Sequence, residues 1–253
     1  MSIKTLKHKV SIIIPFFKKK KYILETIKSV LKQTYQNFEV FIIYDDPDKT
    51  DLLFIKKIVK KDKRIKLLIN KKNLGAGLSR NHAIKHSEGK YIAFLDSDDC
   101  WKKKKLEKQI GFMEKNNCKF THTSYDIVNL KDVIVSRRIA KNFFSIEELL
   151  RSCDIGLSTV VLYRNLLNKY CLFPNLKTKE DFVLWLKILK NKVKIFGINE
   201  TLANWRITEK SLSSSIFQKL NDAFKVYNYY MKFNGLKSIF FTLILSINFL
   251  KKK

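Results

Sequence analysis

Acidic residues are scarce in this chain. In 253 residues, 23 Asp and Glu stand against 51 Lys and Arg, a formal charge of +28. Glycine (7) and proline (3) are scarcer still, which excludes collagen-like and Gly/Pro-rich disordered structure and leaves no flexible linker between halves. The four cysteines, Cys100, Cys118, Cys153 and Cys171, lie far apart, with no Cys-x-x-Cys pair and no histidine at zinc-finger spacing. The spacing argues against a cysteine metal site and thioredoxin-like chemistry, and reduced thiols of a cytoplasmic protein are expected. Met1 to Lys9 is short and polar and lacks the apolar stretch and cleavage site of a secretory signal. The stretch Leu236 to Leu250, followed by three lysines, is strongly apolar, but its uninterrupted part falls short of the roughly 20 residues of a spanning helix. A helix lying on a membrane surface, or packed on the domain, is expected instead.

What is present is 45% hydrophobic residues. A chain of this length forms one large domain, or one domain and an appendage, and buries about 70 to 75% of its unfolded surface without disulfides. The first half alternates two kinds of segment. Val10 to Pro15, Phe38 to Tyr44, Ile65 to Ile69 and Tyr91 to Leu95 are apolar runs of strand length, as expected of strands covered on both faces. Between them, Ile23, Ile27, Val30 and Leu31, then Leu52, Ile55 and Val59, then Leu78 to Ser87, carry helical spacing. This rhythm predicts βαβ units and a doubly wound, mostly parallel α/β sheet, whose ligands bind at the carboxyl ends of the strands. The second half is less regular: helices over Lys104 to Asn116 and Asp181 to Lys190, and short strands at Phe120 to Tyr125, Val133 to Arg137 and Ser158 to Tyr163.

The few acids cluster where ligands are expected. One strand ends in Tyr44-Asp45-Asp46, another in Leu95-Asp96-Ser97-Asp98-Asp99, and Glu180-Asp181 opens a late helix. Strand-end aspartates can simply cap helices. Two clusters on one edge of a sheet, with a third pair beyond, favour a site that accepts a cation, and oxygen donors suit magnesium or manganese bridged to substrate phosphates. The loop Asn73 to Gly77 has no Gly-Lys-Ser/Thr and is no P-loop. His8, His82, His86 and His122 form no spaced metal set, and Phe224, Tyr227, Tyr229, Tyr230 and Phe233 fit a helix packed on the core.

Four blocks carry a family resemblance: VSIIIPFFKKKKYILETIKSVLKQTYQNFEVFIIYDD (Val10 to Asp46), NKKNLGAGLSRNHAIKHSEGKYIAFLDSDDCW (Asn70 to Trp101), KEDFVLWLKI (Lys179 to Ile188) and NWRITEKSLS (Asn204 to Ser213). Together they resemble the family 2 inverting glycosyltransferases, with the A-type, nucleotide-diphospho-sugar transferase fold. The resemblance implies a catalytic domain over residues 1–215 and a helical, basic and apolar, membrane-associating tail over residues 216–253. It implies that Pro15 and Phe17 shape the pocket of the nucleotide base, that Asp45 reads the base, usually uracil, and that Arg80 is a basic residue near the nucleotide. Asp96 then lies on the ribose side, Asp98 is the ligand of a Mn2+ or Mg2+ ion on the diphosphate, and Asp181 is the general base, with Glu180 beside it. Trp205 and Arg206 fall in a loop that closes over the substrates in relatives. Thr208 stands where many relatives have a histidine metal ligand, so Asp98 is the one protein ligand expected.

The implied activity is transfer of a sugar from a nucleotide-sugar donor, a UDP-sugar, to a hydroxyl of a surface glycan or lipid-linked saccharide. It takes place in the cytoplasm on the inner face of the cell membrane, where lysines around the apolar tail meet anionic lipid. Two other readings compete. The charge alone would suit a basic nucleic-acid-binding protein, but the lysines are spread along the chain, no aromatic is interleaved with them in a recognition motif, and codon bias alone can produce such a composition. An inactive membrane-surface scaffold is disfavoured because Asp96, Asp98 and Asp181 are all present.

Overall fold

The computed structural model describes residues 8–208 and 216–251. The polar lead at the N-terminus and the end of the fourth block, residues 209–213, lie largely outside them.

The four apolar runs form β1 (Val10–Phe16), β2 (Phe38–Tyr44), β3 (Ile65–Ile69) and β4 (Tyr91–Phe94), all paired in parallel in the order β3-β2-β1-β4. Helices α1 (Lys20–Leu31), α2 (Leu52–Val59) and α3 (Ala76–His86) make the crossovers. Side chains of a strand alternate between its faces, and here that alternation divides the core in two. Ile12, Ile14, Val40, Ile42 and Ala93 pack with Ile23, Ile27, Ile55 and Ile58 of α1 and α2. Ile13, Phe41, Ile43, Ile92 and Phe94 pack on the other face with Ala83 and Ile84 of α3. The continuous apolar runs therefore reflect a sheet covered on both sides.

Beyond β4 the sheet becomes mixed. Helix α4 (Lys105–Lys115) follows the two-residue β5 (Cys100–Trp101), and β6 (Phe120–Val128), β7 (Ile134–Arg138), β8 (Val161–Tyr163) and β9 (Phe196–Arg206) complete the order β4-β8-β6-β9-β5, with β7 on β6. β8 runs antiparallel to β4, whereas β6 and β9 are parallel. The parallel expectation thus describes the first half, and antiparallel strands extend it. Strand β9 was not evident in the sequence because Asn199 and Glu200 interrupt its apolar pattern and its pairing with β6 shifts register beside them.

Helix α5 (Ile146–Leu150) leads to the second core, where Trp185 of α6 (Glu180–Lys190) is fully buried among Phe94, Phe120 and Phe173, with ring centroids 5.0 to 6.3 Å away. The C-terminal elements share that core: Ala223 of α7 (Ile216–Lys225), Val226 and Tyr227 of a π-helical turn, and Leu245 of α8 (Gly235–Leu250) all belong to it. The Tyr227 hydroxyl donates to the Leu150 carbonyl at 2.6 Å.

Because Trp185 joins α6 to the sheet, Trp185→Ala is expected to cost about 3 to 5 kcal/mol, read as a lower denaturant midpoint in equilibrium unfolding.

Candidate active site

The carboxyl ends of β1, β2 and β4 lie side by side: Asp45 N donates to the Phe16 carbonyl at 2.9 Å, and Leu95 N to the Ile13 carbonyl at 3.1 Å. Three of the sequence-assigned groups therefore share one edge. Pro15 is buried within β1, and beyond it the Phe17 ring is 40% exposed at the rim. Asp45 is buried and accepts three hydrogen bonds: Asn70 Nδ2 (2.7 Å) and Leu74 N (2.8 Å) on Oδ1, and Gly75 N (2.9 Å) on Oδ2. An ionised carboxylate offers about four acceptor sites, so Oδ2 retains capacity for one more donor. Gly75 adopts φ +79°, a left-handed conformation open to glycine at little cost, and this turn aims its N–H at Asp45.

The centre of the site is Arg80 on α3. Its guanidinium is buried and bridges two carboxylates distant in sequence, with NH2 2.7 Å from Asp96 Oδ1 and NH1 2.8 Å from Glu180 Oε1. Its face lies over the Phe173 ring, 5.3 Å from the centroid. The structure thus brings Asp96 and the Glu180-Asp181 pair together through one cation. The approach is close: a Cβ on Gly77 would meet Glu180 Cγ at 2.9 Å and the Pro174 carbonyl at 3.2 Å. Lys179, immediately before the pair, sits at φ +67°, a conformation strained for a lysine.

Asp181 opens α6, with Oδ1 accepting from Phe182 N at 2.7 Å. Burial raises its carboxyl above the usual aspartate range, while Lys179 and the Phe182 N–H pull it back. Glu180 is pushed up to about 7 by burial, against the opposing pull of Arg80.

Asp96 N donates to Ser158 Oγ (3.0 Å), and Ser158 Oγ donates to Asp99 Oδ2 (2.5 Å). Asp99 is fully buried and its carboxyl is raised well above the usual range by burial and by Asp98 and Asp96. Its Oδ1 accepts from Arg206 N at 2.9 Å. Arg206 and Trp205 end β9. Arg206 is buried, and its guanidinium reaches the Asp98 carbonyl (3.1 Å), Asp132 (2.6 Å) and Glu25 (2.7 Å). From the end of β9 it thus braces the Asp98 turn.

Asp98 Oδ2 is 2.7 Å from Lys19 Nζ and accepts from Thr208 Oγ1 at 3.3 Å. Among the described residues no group of three or more His, Cys, Asp or Glu could hold a metal. The oxygen donors of Asp98 and Thr208 still fit a hard ion, because Mg2+ typically keeps several waters and takes one or two carboxylates with substrate phosphates. Lys19 is the group that such an ion would displace.

Lys19, Glu25, Asp99 and Ser158 were not singled out in the sequence. Lys19 is hidden in a run of four lysines, Glu25 falls within the first block at a position given no role, and Ser158 lies outside the four blocks. Asp99 was visible only as the last member of the Asp96-Ser97-Asp98-Asp99 cluster, and its burial is evident only in the structure. His82 and His122 are paired with Asn70 (2.8 Å) and the Lys141 carbonyl (2.8 Å), and the four cysteines are free.

The family model of "Glycosyl transferase family 2" matches residues 11–169. The chain belongs to glycosyl transferase family 2. It is 40% identical over 235 residues to the UDP-Glc:alpha-D-GlcNAc-diphosphoundecaprenol beta-1,3-glucosyltransferase WfgD of Escherichia coli, covering 92% of this chain and 90% of that one. It is 37% identical over 212 residues to WfaP, another Escherichia coli enzyme of the same description, covering 83% and 82%. The TarS fragment 1–349 of S. aureus, solved in complex with UDP-GlcNAc, superposes with TM-score 0.74 at 23% identity over 91% of this chain and 69% of that one. The protein is a glycosyltransferase with the A-type fold, and Asp45, Asp96 and Asp98 follow the carboxyl ends of strands of that fold's sheet.

Arg80→Met removes the one cation between Asp96 and Glu180. Breaking a buried pair costs about 3 to 5 kcal/mol, so a lower melting temperature is expected in calorimetry.

Proposed function

We propose that this glycosyltransferase moves a hexosyl group from a UDP-sugar to a hydroxyl of a lipid-diphosphate-linked saccharide, with inversion and with Asp181 as general base. The observation that carries this reading is the Arg80 bridge, which brings the raised carboxyl of Asp181 next to the Asp96–Asp98 turn. The described substrates of WfgD and WfaP support the donor and acceptor classes.

An inverting transfer is one in-line displacement. The acceptor hydroxyl attacks the anomeric carbon from the face opposite the diphosphate and gives its proton to a carboxylate as the C–O bond forms. Asp181 takes that proton, and its raised pKa makes it a stronger base than a solvated aspartate. Glu180 is engaged by Arg80, with NH1 2.8 Å from its Oε1, and the role of base is given to its neighbour. At the donor end, Phe17 offers an exposed ring to the base, and Asp45 Oδ2, with one donor on it, can accept the base N–H. Asp98, with Thr208 beside it, would hold a Mn2+ or Mg2+ ion, which when bound neutralises charge developing on the diphosphate as a Lewis acid. Arg206, braced on the Asp98 carbonyl, keeps that turn in place.

The lipid-linked acceptor calls for contact with a membrane, and α8 supports it. No helix among the described residues is long and apolar enough to cross a membrane; 16 residues of α8 span roughly 24 Å at 1.5 Å each. The helix turns Ser238, Thr242 and Leu245 inward and leaves Leu236, Ile239, Phe240, Leu243, Ile247 and Leu250 exposed. Exposed Lys232, Lys237 and Lys251 flank this apolar face. Such a face, ringed by cations, suits the surface of an anionic bilayer, each lysine near it contributing about 1 kcal/mol. The tail, residues 216–253, thereby serves location, and residues 1–215 carry the chemistry.

Asp181→Asn is expected to lower kcat by about 10² to 10⁴ while leaving UDP affinity unchanged; an unaltered kcat excludes Asp181 as base. The base acts deprotonated, so kcat/KM falls as pH drops through its raised pKa, and the acid limb of the profile is expected above pH about 4, the ordinary aspartate value. In vesicle flotation, the double variant Phe240→Glu, Leu243→Glu is expected to leave vesicles containing phosphatidylglycerol. Equal flotation of variant and wild type contradicts the assignment of α8.

A further inference from the structure

The run Lys18 to Lys21 reads as one basic stretch, yet its lysines are assigned separate partners. Lys18, at φ +51°, reaches Asp48 (3.0 Å), and Lys20 reaches Asp51 (3.2 Å); both side chains are more than half exposed. Lys19, at the start of α1, turns inward with its side chain 21% exposed, and its ammonium lies 2.7 Å from Asp98 Oδ2 and 2.7 Å from Thr208 Oγ1. An ammonium has three donors, and these contacts use two.

We propose that Lys19 is the counter-charge of the Asp98 corner: it neutralises Asp98 when no donor is bound, gives its third N–H to a diphosphate oxygen when the donor enters, and competes with a divalent ion for Asp98. The inference rests on Asp98 lying at the diphosphate end of the donor. Among the described residues the Asp98 carboxylate meets one cationic side chain at ion-pair distance, Lys19, because the Arg206 guanidinium is directed to the Asp98 carbonyl and to Asp132 and Glu25. Thr208, a neutral neighbour, adds a dipole and no charge. A lysine on a flexible stem can change acceptors within the corner, so the diphosphate gains a counter-charge from the chain itself. A metal ion at Asp98 must first displace that ammonium, which weakens its binding.

Two titrations on the full chain test this. Mn2+ alone is titrated against wild type and Lys19→Met, with free Mn2+ read by electron paramagnetic resonance. UDP is titrated in EDTA by calorimetry. Hydrogen bonds to charged groups are strong enough that Lys19→Met is expected to bind Mn2+ at least about tenfold more tightly and metal-free UDP at least about tenfold more weakly. Lys20→Met, which removes the same charge outside the corner, is expected to change neither. Unchanged Mn2+ affinity in Lys19→Met overturns the competition, and unchanged metal-free UDP affinity overturns the diphosphate contact. Wild type that binds no UDP with or without Mn2+ contradicts the UDP-sugar reading instead, and the Mn2+ titration still decides whether Lys19 competes.

Discussion

The guanidinium of Arg80 is the constraint on which the arrangement depends. It is buried, and a buried cation is tolerated only when paired and hydrogen-bonded. Here Asp96 at the end of the β4 segment and Glu180 at the start of α6 meet that demand. The requirement fixes the distance between two halves of the molecule that no loop connects directly. It also explains the close approach of α3 to α6 at Gly77, and it holds Asp181, one residue from Glu180, at the edge of the sheet.

A second layer of fixed contacts surrounds this bridge. Ser158 ties the Asp96 backbone to the Asp99 carboxylate, and Asp99 ties that turn to Arg206 at the end of β9. Arg206 in turn reaches Glu25 on α1 and Asp132 in the turn between β6 and β7. The acidic turn is thus bonded directly by Ser158 and Arg206, and Arg206 is itself held by α1 and the β6–β7 turn. Preorganisation of this kind lowers the reorganisation needed when charge develops during reaction. Negative charge crowded on one edge also accounts for the raised carboxyls of Asp99 and Asp181, where burial is the leading cause.

The first half of the fold was legible because its strands are covered on both faces, and continuous apolar runs such as FEVFIIY have no competing reading at that length. The second half was less so. β9 alternates weakly and changes register, and β5 has two residues. The acidic members of the site stood out because acids are rare in this chain, and their order matched a known family. What could not be read was which cation each acid meets. Lysines and arginines are abundant and uninformative in sequence, and only three-dimensional placement separates Arg80, Arg206 and Lys19 from the others. Within the charge of +28, Arg80, Arg206 and Lys19 meet the acids of the site, while most of the remaining lysines are spread over the surface.

The central claim is that one carboxylate, Asp181, drives a single displacement at the anomeric carbon. Its most direct measurement is the anomeric configuration of the product formed from an α-linked UDP-sugar and a GlcNAc-diphospholipid acceptor, read from the coupling constant of the new anomeric proton in NMR. The account predicts a β-linked product. An α-linked product would mean retention, which requires a double displacement or a different use of these carboxylates, and would contradict it.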